Sequence, residues 1–311
     1  MTGSIAIRPA SRGVALIAVI WLIAILSMAC IAALRVVSFD MEIAGAKIHG
    51  FRAKQFAEMG VAVAANSSVK RTDPLLHRRN EDGEGYDAKI ISEGGRFNLN
   101  ALLLRGDKAL VRSIFVDWGL DLDAAQEVTD ALADWVDGDD ETSLNGAEKK
   151  WYEAQGRINQ PFNHPFYSLD EARLVRGMDL VEAAKPDWRN WFTVWSNGQL
   201  DANEASAELL AAAAEVSVDV ADQVVEKVRG PDGIRDTEDD VPFQNAADVL
   251  ALLGVNTTIR PDIAQRITVN DSTVRIESVG QAEGAKRKIS MILRNRTGRP
   301  AVLERSEEVI P

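Results

Sequence analysis

The sequence predicts an α+β fold: one very long N-terminal helix, a small antiparallel sheet, and a large helical region inserted between early and late strands. Three observations carry that expectation. Residues 14–34 form an unbroken run of 21 positions without a charge. Helical periodicity continues beyond them to about Val69. Strict alternation returns late, at 273–294, after two stretches of helical pattern.

A chain of 311 residues can hold two or three compact domains, each with its own core. The 47 acidic against 35 basic side chains give a net charge of −12. That balance argues against a nucleic-acid partner, because a duplex binder needs a basic face to engage phosphates. The one cysteine, Cys30, lies in the apolar run, so no intramolecular disulfide is possible.

At about 1.5 Å per residue the apolar run spans roughly 30 Å, the thickness of a bilayer's hydrocarbon core. Arg8 and Arg12 precede it and no acidic residue does, so the short tail is expected to stay cytoplasmic while the rest crosses. A cleaved secretory signal would have a shorter core and an Ala-x-Ala end. A buried soluble helix is rarely apolar on every face. A plain, unprocessed signal anchor is the strongest rival. Past Leu34 the residues Met41, Ala44, Ile48, Phe51, Met59 and Ala62 fall on one helical stripe, interrupted by Gln55. Gly45, Gly50 and Gly60 would each soften the helix by about 1 kcal/mol relative to Ala. One continuous helix of this kind would be about 80 Å long, more than a single domain covers. Its free length must therefore pack on lipid or on other chains.

Residues 72–96 read as a polar linker and a short strand near 88–92. The phrase Phe97-Asn98-Leu99-Asn100-Ala101 follows, with helical patterns at about 101–118 and 123–136. A variant returns as Leu200-Asp201-Ala202-Asn203-Glu204-Ala205, with helices at about 205–214 and 218–229. A second echo pairs Pro165-Phe166-Tyr167-Ser168 with Pro242-Phe243-Gln244-Asn245, each running to a glycine, Gly177 and Gly254. Asn, Asp and Ser there are good N-caps and each glycine sits where a helix should stop. Two related helical units in tandem are expected.

Each unit carries an acidic loop. Asp134, Asp137, Asp139, Asp140 and Glu141 crowd together, with Glu148 a short segment on. Carboxylates so close repel one another unless a cation or basic groups intervene. Hard oxygen ligands on a glycine-bent loop suit calcium, although the twelve-residue EF-hand spacing is absent. Asp232, Asp236, Glu238, Asp239 and Asp240 repeat the theme more weakly. The competing reading is a pair of solvated loops. No catalytic constellation stands out: His49, His77 and His164 lie far apart, and no nucleophile elbow, Walker loop or dinucleotide fingerprint occurs. Trp188, Trp191, Phe192 and Trp195 suit core or inter-unit packing. At the C-terminus, Val274, Ile276 and Ser278 and then Ile289, Met291 and Leu293 alternate about Gly280-Gln281-Ala282-Glu283-Gly284, a hairpin with a five-residue turn. The charged tail from Thr297 to Pro311 is expected to be mobile.

Arg12-Gly13, an apolar residue and a long helix together resemble the class III signal of type IV pilins and type II secretion pseudopilins. The resemblance implies that a prepilin peptidase cuts between Gly13 and Val14 and methylates the new N-terminus. Most members carry glutamate at the fifth mature position, which is Ala18 here. Its absence is the habit of the K-type minor pseudopilins, the general secretion pathway protein K family. A carboxylate in hydrocarbon needs a partner, and a subunit with no neighbour above it has none, so an apolar residue suits the tip. The competing reading of Ala18 is a lipid-facing alanine in an anchor. The phrases DWVDGDDE at 134–141, GAEKKWY at 146–152 and NHPFYSLDEARLVRGM at 163–178 are similar to that family's pattern. The implied fold is pilin-like with an inserted SAM-like helical region: leader 1–13, helix 14–71, linker and first strand 72–96, helical units 97–197 and 198–262, hairpin and tail 263–311. The implied role is a non-enzymatic, calcium-binding tip subunit of the type II secretion pseudopilus, anchored in the inner membrane with its bulk periplasmic. Its partners would be the I- and J-type minor pseudopilins. The alternatives are an unprocessed single-span periplasmic adaptor and a membrane-anchored DNA receptor; acidic loops weigh against the latter.

Overall fold

The structure, a computed structural model, describes residues 12–310, with side chains from Leu16 onward. Most of the expected leader, and the side chain of Val14, lie outside what is described. Helix α1 (Arg12–Ala65) is followed by β1 (His77–Arg79) and β2 (Gly85–Ser92). The first helical unit runs from β3 (Phe97–Asn98) through α2 (Leu99–Leu104), α3 (Lys108–Asp117), α4 (Leu122–Val136), α5 (Lys149–Ala154), α6 (Leu169–Ala172) and α7 (Met178–Ala184) to β4 (Phe192–Thr193). The second runs from β5 (Leu200–Asp201) through α8 (Ala207–Ala214), α9 (Val218–Arg229), α10 (Ala246–Leu252) and α11 (Pro261–Ala264) to β6 (Ile267–Thr268). Strands β7 (Thr273–Ala282), β8 (Ala285–Arg294) and β9 (Ala301–Ile310) close the described chain.

The main sheet is antiparallel in the order β1-β2-β7-β8-β9, so the helical units are inserted between two strands that lie side by side. Its inner face, with Ile90, Ile276, Ile289, Met291 and Leu293, packs on the upper part of α1. The helix offers Ala53, Ala57, Val61 and Ala64, all nearly or fully buried. Small residues are needed there because the backbones almost touch. A Cβ on Gly280 would collide with the backbone of Ala53 and Ala57, and one on Gly60 with Ser278 and Tyr86. Gly60 is thus a contact point rather than merely a weak spot in the helix.

The contact face corrects the helical reading. The apolar stripe does not face the protein's own sheet: Met41 is 70% exposed, Ile48 58%, Phe51 62% and Met59 53%. Alanines and glycines carry little hydrophobic signal, so periodicity selected the opposite face. The helix also stops at Ala65, earlier than Val69. Asn66 accepts a hydrogen bond from the Ser68 amide and turns the chain, while Arg296 donates to the carbonyls of Ala64, Asn66 and Val69. That guanidinium places positive charge where the helix dipole favours it.

The sheet departs from expectation in three places. The first strand begins at Gly85 and pairs with β1 inside the supposed linker. The β7–β8 turn is two residues, Glu283-Gly284, both at positive φ, rather than five. The tail forms the edge strand β9 on β8, with a register shift at Ile292/Leu293. Lys54 pairs with Glu307 at 2.5 Å, and Arg305 pairs with Glu58. These charges hid the strand, because an edge exposed on both faces needs no apolar alternation.

The helical units share one plan. Each opens and closes on a two-residue parallel bridge, β3 with β4 and β5 with β6. In the first, Asn100 donates to the Phe166 carbonyl (2.9 Å) and accepts from the Phe166 amide (2.8 Å). In the second, Asn203 does the same with Phe243, at 3.0 and 2.9 Å. The second unit therefore reaches Thr268, past the expected boundary at 262. The pattern at 101–118 is two helices, α2 and α3, divided at Arg105–Asp107 by a turn with Gly106 at positive φ. Both units contribute to one apolar core. Arg266, only 7% exposed, ties them by a two-pronged bond to Asp107, both contacts at 2.8 Å.

Candidate functional site

The first acidic loop follows α4, an amphipathic helix whose last turns bury Asp134 together with Trp135 and Val136. The structure divides its six carboxylates into two sets. Asp134 and Glu148 are buried and Asp137 half-buried, whereas Asp139, Asp140 and Glu141 face solvent. Asp134 accepts from the Ser143 amide (3.1 and 3.2 Å), and Gly146 lies so close that a Cβ there would overlap its carboxylate. Glu148 caps α5, accepting from the Lys149 amide at 3.3 Å.

The inner set is electrostatically unsettled. Burial raises the Asp134 carboxyl above its ordinary range against the pull of the Ser143 bonds. Burial, then the charges of Asp139 and Asp134, raises Asp137. Burial pushes Glu148 up to about 7, and Asp134, Asp137 and Asp140 add to the rise. Asp137 Oδ1 and Glu148 Oε1 are buried with no hydrogen-bond partner. Two amide oxygens on the following segment, Gln160 Oε1 and Asn163 Oδ1, are in the same condition. Neither side chain is charged, so a pattern of carboxylates in the sequence does not reveal them. Unanswered oxygens among mutually repelling carboxyls fit a hard divalent cation such as calcium. The cage is not closed: among the described residues, no three His, Cys, Asp or Glu side chains converge on a metal-sized point.

The second loop differs. Asp239 accepts from the Asp232 amide (3.0 Å) and the Thr237 hydroxyl (2.7 Å), and Asp240 accepts from the Asp236 amide (2.7 Å). Arg71, from the segment after α1, donates twice to Glu204 (2.8 and 2.7 Å) and once to Asp236 (3.4 Å). This loop is answered by the chain's own donors. Trp188 and Phe192 are core residues, and Trp191 meets Trp118 edge to face at 5.3 Å.

The other functional surface is α1. Its 54 residues extend about 80 Å. Over its lower half the apolar side chains are exposed, from Leu16 and Trp21 to Leu34, with Ala18 and Cys30 among the exposed positions. The helix is long and apolar enough for a single membrane anchor.

A long anchor helix whose upper part backs a small antiparallel sheet, with helical units spliced between adjacent strands, defines a pilin-like subunit. Residues 95–186 match the family model for type II secretion system protein K, first domain. Type II secretion system protein K of Klebsiella pneumoniae is 37% identical over 107 residues, 32% of each chain. That of Pseudomonas aeruginosa is 26% identical over 263 residues, 75% of this chain and 76% of the relative. A chain from the crystal structure of the GspK-GspI-GspJ complex of the enterotoxigenic Escherichia coli type 2 secretion system shares the fold. It superposes with a TM-score of 0.64 at 15% identity, covering 88% of this chain and 99% of that one. Residues 95–186 thus match the first domain of type II secretion system protein K, and the chain is similar to a protein of that name over three quarters of its length.

Proposed function

We propose that this chain is a minor pseudopilin, a structural rather than catalytic subunit that caps the tip of the type II secretion pseudopilus. One observation carries the reading. Helix α1 gives its small-residue face to its own head and leaves Met41, Ile48, Phe51 and Met59 exposed above the membrane-grade segment. Such a stripe has a cost in water that packing against other helices removes. The I- and J-type minor pseudopilins are the proposed companions. The prepilin peptidase would cut between Gly13 and Val14, and Ala18 would sit where no neighbour above supplies an amine. The helix would start in the inner membrane, N-terminus cytoplasmic and head periplasmic. The broad insertion beside α1 would clash along a packed shaft, which favours a terminal site.

Calcium is the proposed ligand of the first loop. Asp134, Asp137 and Glu148 would supply inner oxygens, and the ion would relieve their mutual repulsion. Asp232, Asp236, Asp239 and Asp240 form the weaker candidate.

Mass spectrometry of the protein from its host, with a pull-down of companions, tests the main reading. The expected result is an N-methylated Val14 terminus and pilin-like companions that are lost when Ile48 and Phe51 are both replaced by Asp. A retained Met1 with no pilin-like companion would overturn it.

A further inference from the structure

Beside the first acidic loop, aromatic rings climb from core to surface. Trp135 is 0% exposed and meets Phe162 edge to face at 5.2 Å. Phe162 stacks on His164 at 5.7 Å with planes 16° apart, and His164 lies against Tyr167 at 4.4 Å. From the buried Trp135 the ladder reaches solvent, with Phe162 42% and Tyr167 70% exposed and His164 half-buried between them. Glu171 holds it from beneath, accepting from Trp135 Nε1 at 2.9 Å and from the Tyr167 amide at 3.0 Å. Asn163, between two ladder residues, donates to the Asp139 carbonyl (2.7 Å) and the Asp140 carboxylate (3.2 Å). The Asp140 carboxylate and the backbone of Asp139 are thereby tied to the segment that carries the rings.

This juxtaposition has a specific chemical complement. An aromatic face attracts a cation through its quadrupole, and adjacent carboxylates accept the planar fork of a guanidinium. Arginine suits both at once, because it stacks as well as pairs, whereas lysine offers a hydrated point charge. The surroundings favour the same sign: residues 93–271 hold 34 acidic against 16 basic side chains, net −18, against −12 for the whole chain. We infer that Tyr167, the rings behind it and the outer carboxylates Asp139, Asp140 and Glu141 form a docking surface for an arginine-bearing segment of a partner protein. The proposal needs none of the inner carboxylates.

Fluorescence anisotropy on the full chain in detergent tests this, in about 0.15 M salt, a concentration that screens diffuse attraction. The probe is a labelled Gly-Gly-Arg-Gly-Arg-Gly-Gly peptide, with lysine and citrulline versions beside it. The arginine peptide should bind best and the neutral citrulline peptide least. Tyr167→Ala should weaken binding about two- to thirtyfold, the range of a cation–aromatic contact, while Tyr167→Phe retains it. Asp139→Asn with Glu141→Gln should weaken it comparably, and Glu238→Gln on the second loop should not. Unchanged binding by Tyr167→Ala overturns the inference, as does an equal loss in Glu238→Gln, which would mark attraction to net charge. Chitotriose binding that depends on Tyr167, without peptide binding, would also overturn it in favour of a sugar platform.

Discussion

The two helical units treat the same problem in opposite ways. Both set an acidic loop after their second long helix, residues 137–164 in the first and 230–241 in the second, and both return to a Pro-Phe phrase held by an asparagine. The second loop is short, and its carboxylates meet amides, a threonine hydroxyl and Arg71. The first is longer, gathers the buried carboxyls of Asp134 and Glu148 with the half-buried Asp137, and leaves oxygens on Asp137 and Glu148 without donors. Charge count does not distinguish them. What does is whether each oxygen has been answered from within the chain.

The largest effect should come from adding the missing answer. Calcium at about a hundred times its dissociation constant would stabilise the detergent-solubilised protein by about 3 kcal/mol. Thermal unfolding should show the rise, and Asp137→Asn with Glu148→Gln should abolish it. Asp236→Asn with Asp240→Asn should leave it intact. Equal melting temperatures in calcium and in chelator would end the calcium assignment, and a loss confined to the second-loop variant would invert the comparison.

A smaller effect probes the shared plan. Asn100→Ala and Asn203→Ala each remove a pair of bonds to a phenylalanine backbone, and Asn203→Ala removes one more to the Val269 carbonyl. Each should cost about 2 kcal/mol, the penalty for leaving a partly buried amide and carbonyl unpaired. Urea unfolding should show a loss in both variants, somewhat larger in Asn203→Ala. A severe loss in one and none in the other would show that the repeat is only one of sequence.

How far the fold was legible follows from these same residues. The asparagine phrases and Pro-Phe phrases announced two units, because caps and turns are written locally. The pairing of Asn100 with Phe166 was not readable, since nothing local joins positions 66 apart. The face of α1 that meets the sheet escaped because Ala53, Ala57 and Gly60 act through their smallness, which a hydrophobic pattern does not register. Strand β9 escaped because Glu304, Arg305, Glu307 and Glu308 read as tail. At the acidic loop, sequence supplied the carboxylates but not their division into inner and outer sets. That division depends on Gly146 closing over Asp134 and on Glu148 being drawn into the cap of α5.

The smallest effect separates the residues that open the two units. Asn98 uses both amide functions, donating to the Ser196 carbonyl at 2.8 Å and accepting from the Ala101 amide at 3.0 Å. Asp201, at the matching position, only accepts, from the amides of Asn203 (3.0 Å) and Asp271 (2.8 Å). The second unit thus carries a nearly buried titratable group where the first carries none. Burial pushes Asp201 up to about 6, and the charges of Glu204 and Asp271 push the same way. A carboxyl raised in the folded state favours the protonated protein. Its contribution is therefore complete below about pH 4 and is lost as pH rises through about 6. Allowing for water and local relaxation, the loss should be about 1 kcal/mol. Asp201→Asn cannot titrate, so it should gain on the parent between pH 4.5 and 7, whatever its fixed cost from facing two amides with one acceptor. Unfolding both proteins in saturating calcium keeps the first loop out of the comparison. A stability difference that stays constant across that interval would show that Asp201 does not titrate there, and that both units open on a pH-indifferent cap.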